Sequence, residues 1–170
     1  IFQTDEVDVS GISYSDKRKV LTHATYVTDK VHRHFFDEQT EQMYEDLKNK
    51  LAGYEVSVSS SNKEEDLFLV VASSDRNRGI YHIYDPETKV LTYLHEITPW
   101  LKEEHMAKME PIQYESRDGL TIHGYLTVPA GIEARDLPVV INPHGGPWAR
   151  DYWGFNPEVQ MLANRGYAVL

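Results

Sequence analysis

The sequence predicts a mixed β and α/β chain, with antiparallel strands first and an α/β segment after them. Three observations carry that expectation. Short apolar or alternating runs recur between polar turns from residue 7 to residue 94. A nearly all-apolar run over 137–141 opens directly into a glycine-rich turn at 144–147. A helix signal and a further apolar run over 167–170 then follow, and strand–helix–strand alternation marks an α/β sheet.

The elements follow in order. Gly11 to Tyr14 reads as a strand, residues 15–19 as a turn, Val20 to Tyr26 as its partner and Val31 to Phe36 as a third strand. Residues 38–51 read as a helix, because Met43, Leu47 and Leu51 recur at spacings of four, and Gly53 suits its end. Next, 55–59 alternates, 62–66 is a polar turn and 67–72 runs apolar. A turn at 75–79 leads to 80–84, and 85–89 closes a hairpin onto 90–94. Four antiparallel strands in about 40 residues is the span of one β-propeller blade, and equally of a plain antiparallel meander. Tyr81, Tyr84 and Tyr93 are expected to pack between blades.

Residues 98–106 break the strand rhythm and read as a short helical linker. Beyond Pro111, 112–116 pairs with 120–128 through Arg117-Asp118-Gly119, placing Leu120, Ile122, Leu126 and Val128 on one face. The run over 137–141 is expected to be buried on both faces of a sheet. Asn156 as N-cap, Pro157 in the first helical position and Glu158 on the positive end of the dipole start a helix. Val159, Leu162 and Ala163 form its buried stripe, and Arg165-Gly166 ends it. The expected division is 1–97 strand-rich, 98–110 linker and 111–170 α/β.

Composition excludes several classes. The chain has 170 residues, 41% hydrophobic and 11% aromatic, which argues against disorder. Its net charge of −10 repels phosphate backbones and anionic membranes, so nucleic acid is not an expected partner. The absence of cysteine excludes disulfides, thiolate metal sites and a cysteine nucleophile in this segment, and leaves cytoplasm and periplasm both open. No apolar run approaches the roughly 18 residues of a membrane span, and the first residues lack the basic and apolar regions of a signal peptide.

The chemistry concentrates at His144-Gly145-Gly146-Pro147. An HGG-type turn after the third strand of an α/β-hydrolase offers backbone N–H groups to a developing oxyanion, and glycines let that backbone approach closely. Gly145 and Gly146 are therefore the candidate donors, with Gly146 favoured. The bland alternative is a tight strand-to-helix turn without a catalytic role. His144 is expected to brace the loop, Trp148 to stand at its mouth, and Arg150 to anchor a peptide carboxylate or carbonyl, or else to pair with Asp151. His32 and His34 share one side of a strand, but with no recognisable third ligand they read as a surface pair. The carboxylate runs at 64–66 and 103–104 read as solvated turns and helix faces.

Residues 144–151, then Trp153-Gly154-Phe155-Asn156-Pro157-Glu158-Val159-Gln160 and Arg165-Gly166-Tyr167-Ala168-Val169-Leu170, resemble the start of the catalytic domain of prolyl-oligopeptidase-type serine peptidases. The acylaminoacyl-peptidase and dipeptidyl-aminopeptidase-like branch is the most similar. The 117–119 hairpin, Thr98-Pro99-Trp100-Leu101 and the preceding strands are similar too. The resemblance implies the C-terminal part of a β-propeller followed by the first elements of an α/β-hydrolase domain, with Gly145 and Gly146 in the oxyanion loop. Prolyl-cutting relatives carry a tyrosine where this chain has His144, which argues against strict post-proline specificity. The family's serine, aspartate and histidine would lie beyond Leu170, and none of Ser57, Ser59, Ser60 or Ser61 occupies a nucleophile elbow.

The expectation is thus a fragment of a serine peptidase acting on small peptides, needing no cofactor and no metal. A carboxylesterase or lipase with the same loop, and a non-catalytic propeller binding module, stay open beside it. Alone, the segment is expected to be inactive. Unpaired edges at 139–141 and at the last strand admit contact with another copy, a homo-oligomer.

Overall fold

A computed structural model describes residues 2–170 and divides into two compact units, 2–72 with Gly79–Ile97, and Ser73–Arg78 with Thr98–Leu170. It is sheet-rich, with two α-helices among the described residues. None of its helices is long and apolar enough to cross a membrane.

The first unit begins with a three-stranded antiparallel sheet, β1 (Val9–Ser15), β2 (Val20–Val27) and β3 (Val31–Phe35), in sequence order. Helix α1 (Glu38–Lys50) follows, capped by Asp37, whose side chain accepts the Thr40 N–H at 2.9 Å. The same carboxylate receives Arg18 Nη1 on both oxygens at 2.7 Å, which ties the β1–β2 turn to the helix start. Then come β4 (Glu55–Ser61), β5 (Phe68–Ser73), β6 (Ile80–Asp85) and β7 (Val90–Glu96), a four-stranded meander in the order β4-β5-β6-β7.

Register explains its core. Phe68 pairs with Tyr84 and Val70 with His82, so these alternate residues share one face of the sheet. That face meets α1: Leu47, Val56, Val70 and Tyr84 form a buried cluster, with Met43, Leu51 and Phe68 packed against it. The helix stripe expected from the spacing of four is present, joined by buried Tyr44. Tyr84 is buried because it packs on α1 and its hydroxyl donates to Asp46 at 2.7 Å, while Tyr93 is 60% exposed on the last strand.

The second unit carries β8 (Met109–Glu115), β9 (Thr121–Thr127), β10 (Val139–Val140) and β11 (Ala168–Val169), with order β10-β11-β9-β8. A single 3₁₀ turn at Glu103–His105 stands where the linker helix was expected. Strands β10 and β11 pair parallel, Val139 with Ala168 and Val140 with Val169. Helix α2 (Pro157–Ala163) connects them, and its cap Asn156 accepts the N–H groups of Glu158 and Val159 at 3.0 and 3.2 Å. Met109, Val159 and Val169 form the core, with Tyr125, Trp153 and Leu162 against it.

Two expectations fail here. The 137–141 run is not buried on both faces: only Val139–Val140 is strand, with Val139 55% and Ile141 63% exposed, because β10 lies at the sheet edge with β11 as its one neighbour. The last strand is not an edge, since β11 lies between β10 and β9. On β9, Ile122 and Leu126 alternate onto one face as expected, while Leu120 sits in the turn outside the ladder, 61% exposed, and Thr127 is buried on the other face.

The segment Ser73–Arg78 separates β5 from β6 in sequence, yet its contacts fall in the second unit. Buried Gln160 donates to the Asp75 carbonyl at 2.9 Å and the Ala107 carbonyl at 2.8 Å, and accepts the Ala107 N–H at 2.9 Å. Asp75 in turn accepts the Met109 N–H at 2.8 Å. A buried amide in α2 is thereby fully satisfied.

Candidate functional site

The glycine turn begins where the β10–β11 ladder stops. The Ala168 N–H donates to the Pro138 carbonyl at 2.9 Å, the Leu170 N–H to Val140 at 2.9 Å, and the Asn142 N–H to Leu170 at 2.7 Å. Beyond that last bond the chain from Pro143 to Tyr152 is exposed throughout. Its far end is fixed again at Trp153, whose indole N–H donates to the Met109 carbonyl at 2.8 Å while the ring packs on the unit's core. The turn is therefore a loop held at both ends and open between them, at the carboxyl end of a parallel strand where α/β sheets place their sites.

Within it, Gly146 adopts φ +105°, a backbone conformation that L side chains rarely take. A Cβ added there would meet Ala149 Cβ and Trp148 N, both at 3.4 Å. Gly145 has no such restriction, and a Cβ there would meet nothing within 4 Å. The N–H groups of Gly145 and Gly146 have no acceptor among the described residues. Both donors are therefore available to an acceptor from outside the turn.

The other expected residues sit around these donors. His144 Nδ1 lies 3.1 Å from the carbonyl oxygen of its neighbour Gly145. Trp148 is 98% exposed. Arg150 Nε donates to the Asp151 carbonyl at 3.2 Å, and its guanidinium lies over the Tyr152 ring, 5.3 Å from the centroid. Sequence reasoning missed Asn142 and Trp153 as the two anchors. Trp153 left a usable signal, since an indole N–H beside a core helix needs a partner.

The remaining candidates belong elsewhere. Ser57, Ser59, Ser60 and Ser61 lie on β4 in the first unit. His32 stacks on Tyr26 at 5.2 Å and meets Thr28 Oγ1 at 2.9 Å, while His34 stands edge-on to Phe36 at 5.1 Å. No group of three or more His, Cys, Asp or Glu side chains among the described residues is placed to hold a metal ion. Glu65 is an internal anchor rather than a solvated charge, accepting Ser15 Oγ at 2.5 Å and the Lys17 N–H at 3.1 Å.

No protein-family model matches the chain. Over 123 residues, 68% of its length, it is 36% identical to dipeptidyl aminopeptidase BIII of Pseudoxanthomonas mexicana, spanning 18% of that relative. Over 116 residues, 67% of its length, it is 34% identical to the uncharacterized peptidase YuxL of Bacillus subtilis, spanning 17% of it. Its fold is similar to a chain solved in a structural and mechanistic study of two prolyl endopeptidases. There the TM-score is 0.64 and the identity 15%, across 99% of this chain and 25% of that one.

Proposed function

We propose, since the chain belongs to the prolyl-oligopeptidase family, that it is one segment of a serine peptidase that hydrolyses small peptides. On this reading β4–β7 form one propeller blade and β1–β3 strands of the blade before it. Strands β8–β11 with α2 open an α/β-hydrolase domain. The observation that carries the reading is the pair of unengaged N–H groups at Gly145 and Gly146, on a turn leaving the carboxyl end of β10.

The chemistry then follows. A serine hydroxyl supplied by residues outside this segment attacks the peptide carbonyl while a histidine accepts its proton. As the carbonyl carbon becomes tetrahedral, charge gathers on the oxygen, and the Gly146 N–H, with Gly145 beside it, donates to that charge. The histidine returns the proton to the leaving amine, and water hydrolyses the acyl-enzyme by the reverse path. His144 holds the turn in place. Trp148 offers an apolar surface for a substrate side chain, and Arg150 offers a cation to a carbonyl or carboxylate. No cofactor or metal enters the scheme. The partners are short peptides rather than nucleic acid, as the charge of −10 favours, and the free edge of β10 admits a second copy.

The test is Gly146→Val in the intact parent protein. Adding a Cβ where φ is +105° displaces the donor, so kcat should fall by about 100- to 1,000-fold with KM little changed. Gly145→Ala should do far less, because its Cβ has free space. Unchanged turnover in Gly146→Val would overturn the assignment. Cleavage of esters but not of peptide amides would move the reading to a carboxylesterase.

A further inference from the structure

The first unit holds a cavity of about 410 Å³ beside the β1–β2 turn, α1 and β4. Its size suits a small molecule. Three cationic side chains, Lys17, Arg18 and Arg33, stand on its wall against one carboxylate, Glu65. A positive wall is unexpected in a chain of net charge −10.

Two of those cations are engaged. Arg18 holds Asp37 at 2.7 Å and reaches Thr40 Oγ1 at 3.1 Å, and Lys17 Nζ donates to the Glu64 carbonyl. Glu65 is itself taken up by Ser15 and the Lys17 N–H. Arg33 differs. Its guanidinium lies over the Tyr44 ring, 4.6 Å from the centroid, and it forms no ion pair among the described residues. Neighbouring His23 does not add charge near neutrality, because burial, and then the Arg33 cation, push its imidazole down to about 4. The aromatic face fixes the guanidinium without neutralising it, leaving the donors of its planar fork for an oxyanion. Met43, Val58 and Phe68 supply an apolar wall in the same cavity.

We propose that this cavity binds a small molecule with an apolar body and a free carboxylate, an amino acid or the C-terminal end of a short peptide, held through Arg33. The guanidinium takes the carboxylate in a forked pair, and the apolar wall takes the side chain. The assignment does not depend on the hydrolase reading.

The experiment is calorimetric titration of the full-length parent protein with N-acetylphenylalanine, with its uncharged amide and with inorganic phosphate. The acid should bind saturably and the amide about tenfold more weakly or less, since only the acid carries the charge that Arg33 reads. Arg33→Gln should weaken the acid about tenfold, and Arg33→Lys by less, with thermal midpoints confirming that both variants fold. Phosphate that displaces the acid in an Arg33-dependent way supports recognition of the oxyanion. Phosphate binding while the acid is silent overturns the carboxylate assignment. Equal binding of acid and amide overturns it on the unaltered protein, whatever the fate of the variants, and so does an Arg33→Gln protein that binds like the original. Gly146→Val should leave this binding intact, so failure here and failure of the hydrolase reading give different results.

Discussion

Val70 and Val139 are the same residue type, both in strands of short apolar runs, yet Val70 is fully buried and Val139 is 55% exposed. Val70 lies on β5, flanked by strands on both sides and covered by α1 through Leu47. Val139 lies on β10, with β11 on one side and, among the described residues, no strand paired on the other. Apolarity states what a strand can bury, and position in the sheet decides whether it does. A buried cluster joins α1 to β4–β6, whereas the glycine turn is held by a two-residue ladder and the Trp153 anchor and is exposed between them.

The contrast breaks most directly at its packed end. Leu47→Ala should cost about 2 to 5 kcal/mol, because the fully buried side chain leaves a hole between α1 and the sheet. In the 170-residue chain, Val139→Ala should stay within about 0.5 kcal/mol. Urea unfolding of both variants measures the gap, and equal losses would refute the comparison. A cost of about 2 kcal/mol for Val139→Ala in the parent would instead mean that further polypeptide covers the β10 edge there.

What was legible in the sequence follows the same division. Period-two alternation and turn residues located the strands of the first unit, and the spacing of Met43, Leu47 and Leu51 located α1, since local pattern and tertiary packing agree there. The cap Asn156-Pro157 located α2, because capping is a local device. Strand order is not local: the unpaired edge expected at 139–141 is present on β10, but the flanked position of β11 was not legible. The placement of Ser73–Arg78 in the second unit was hidden too, because it rests on Gln160 reaching Asp75 across 85 positions of sequence. At the site, glycine content pointed to the turn, but the anchors Asn142 and Trp153 act through backbone partners that no motif encodes.

A second, smaller test sharpens the packed side through pH. The His23 imidazole is pushed from its ordinary value of 6.5 to about 4, first by burial and then by the Arg33 cation. The unfolded chain therefore binds the proton more readily than the folded one. Stability from the neutral imidazole is complete above about pH 6.5 and is lost as pH falls toward 4, by an amount on the order of 2 kcal/mol. His23→Gln should reduce the change in urea midpoint across that window, leaving the part carried by His82, whose imidazole burial also holds below its ordinary value. A His23→Gln protein with the original pH dependence would show that other groups carry it. Below about pH 4 a separate loss begins at Asp37. Burial opposes its ionisation, but hydrogen bonds from Arg18 and Thr40 outweigh that and hold the carboxyl below its usual range.

The two helix caps compare the units on equal terms. Asp37→Ala removes both the cap of α1 and the partner of Arg18, whereas Asn156→Ala removes only the cap of α2. Losses of about 2 and about 1 kcal/mol are expected, the excess reflecting the charged partner. Equal losses would mean that the Arg18 pair contributes nothing beyond the cap.

The smallest effect concerns two residues with positive φ. Lys89 closes the β6–β7 hairpin at φ +56°, and Gly146 lies in the glycine turn at φ +105°. Lys89 carries a Cβ in a region where L residues are disfavoured, so Lys89→Gly relieves that cost. It also loosens the unfolded chain, which returns about half of the gain or more. The net should be stabilisation of about 0.5 kcal/mol, read as a small rise in urea midpoint without a change in slope. The reverse exchange at Gly146 adds a Cβ at a more forbidden angle and against Trp148 N at 3.4 Å, with no hairpin to absorb it. A hairpin tolerates a side chain at positive φ because its ladder holds the strands on either side. The open turn has no ladder beyond Asn142, so its geometry rests on glycine itself.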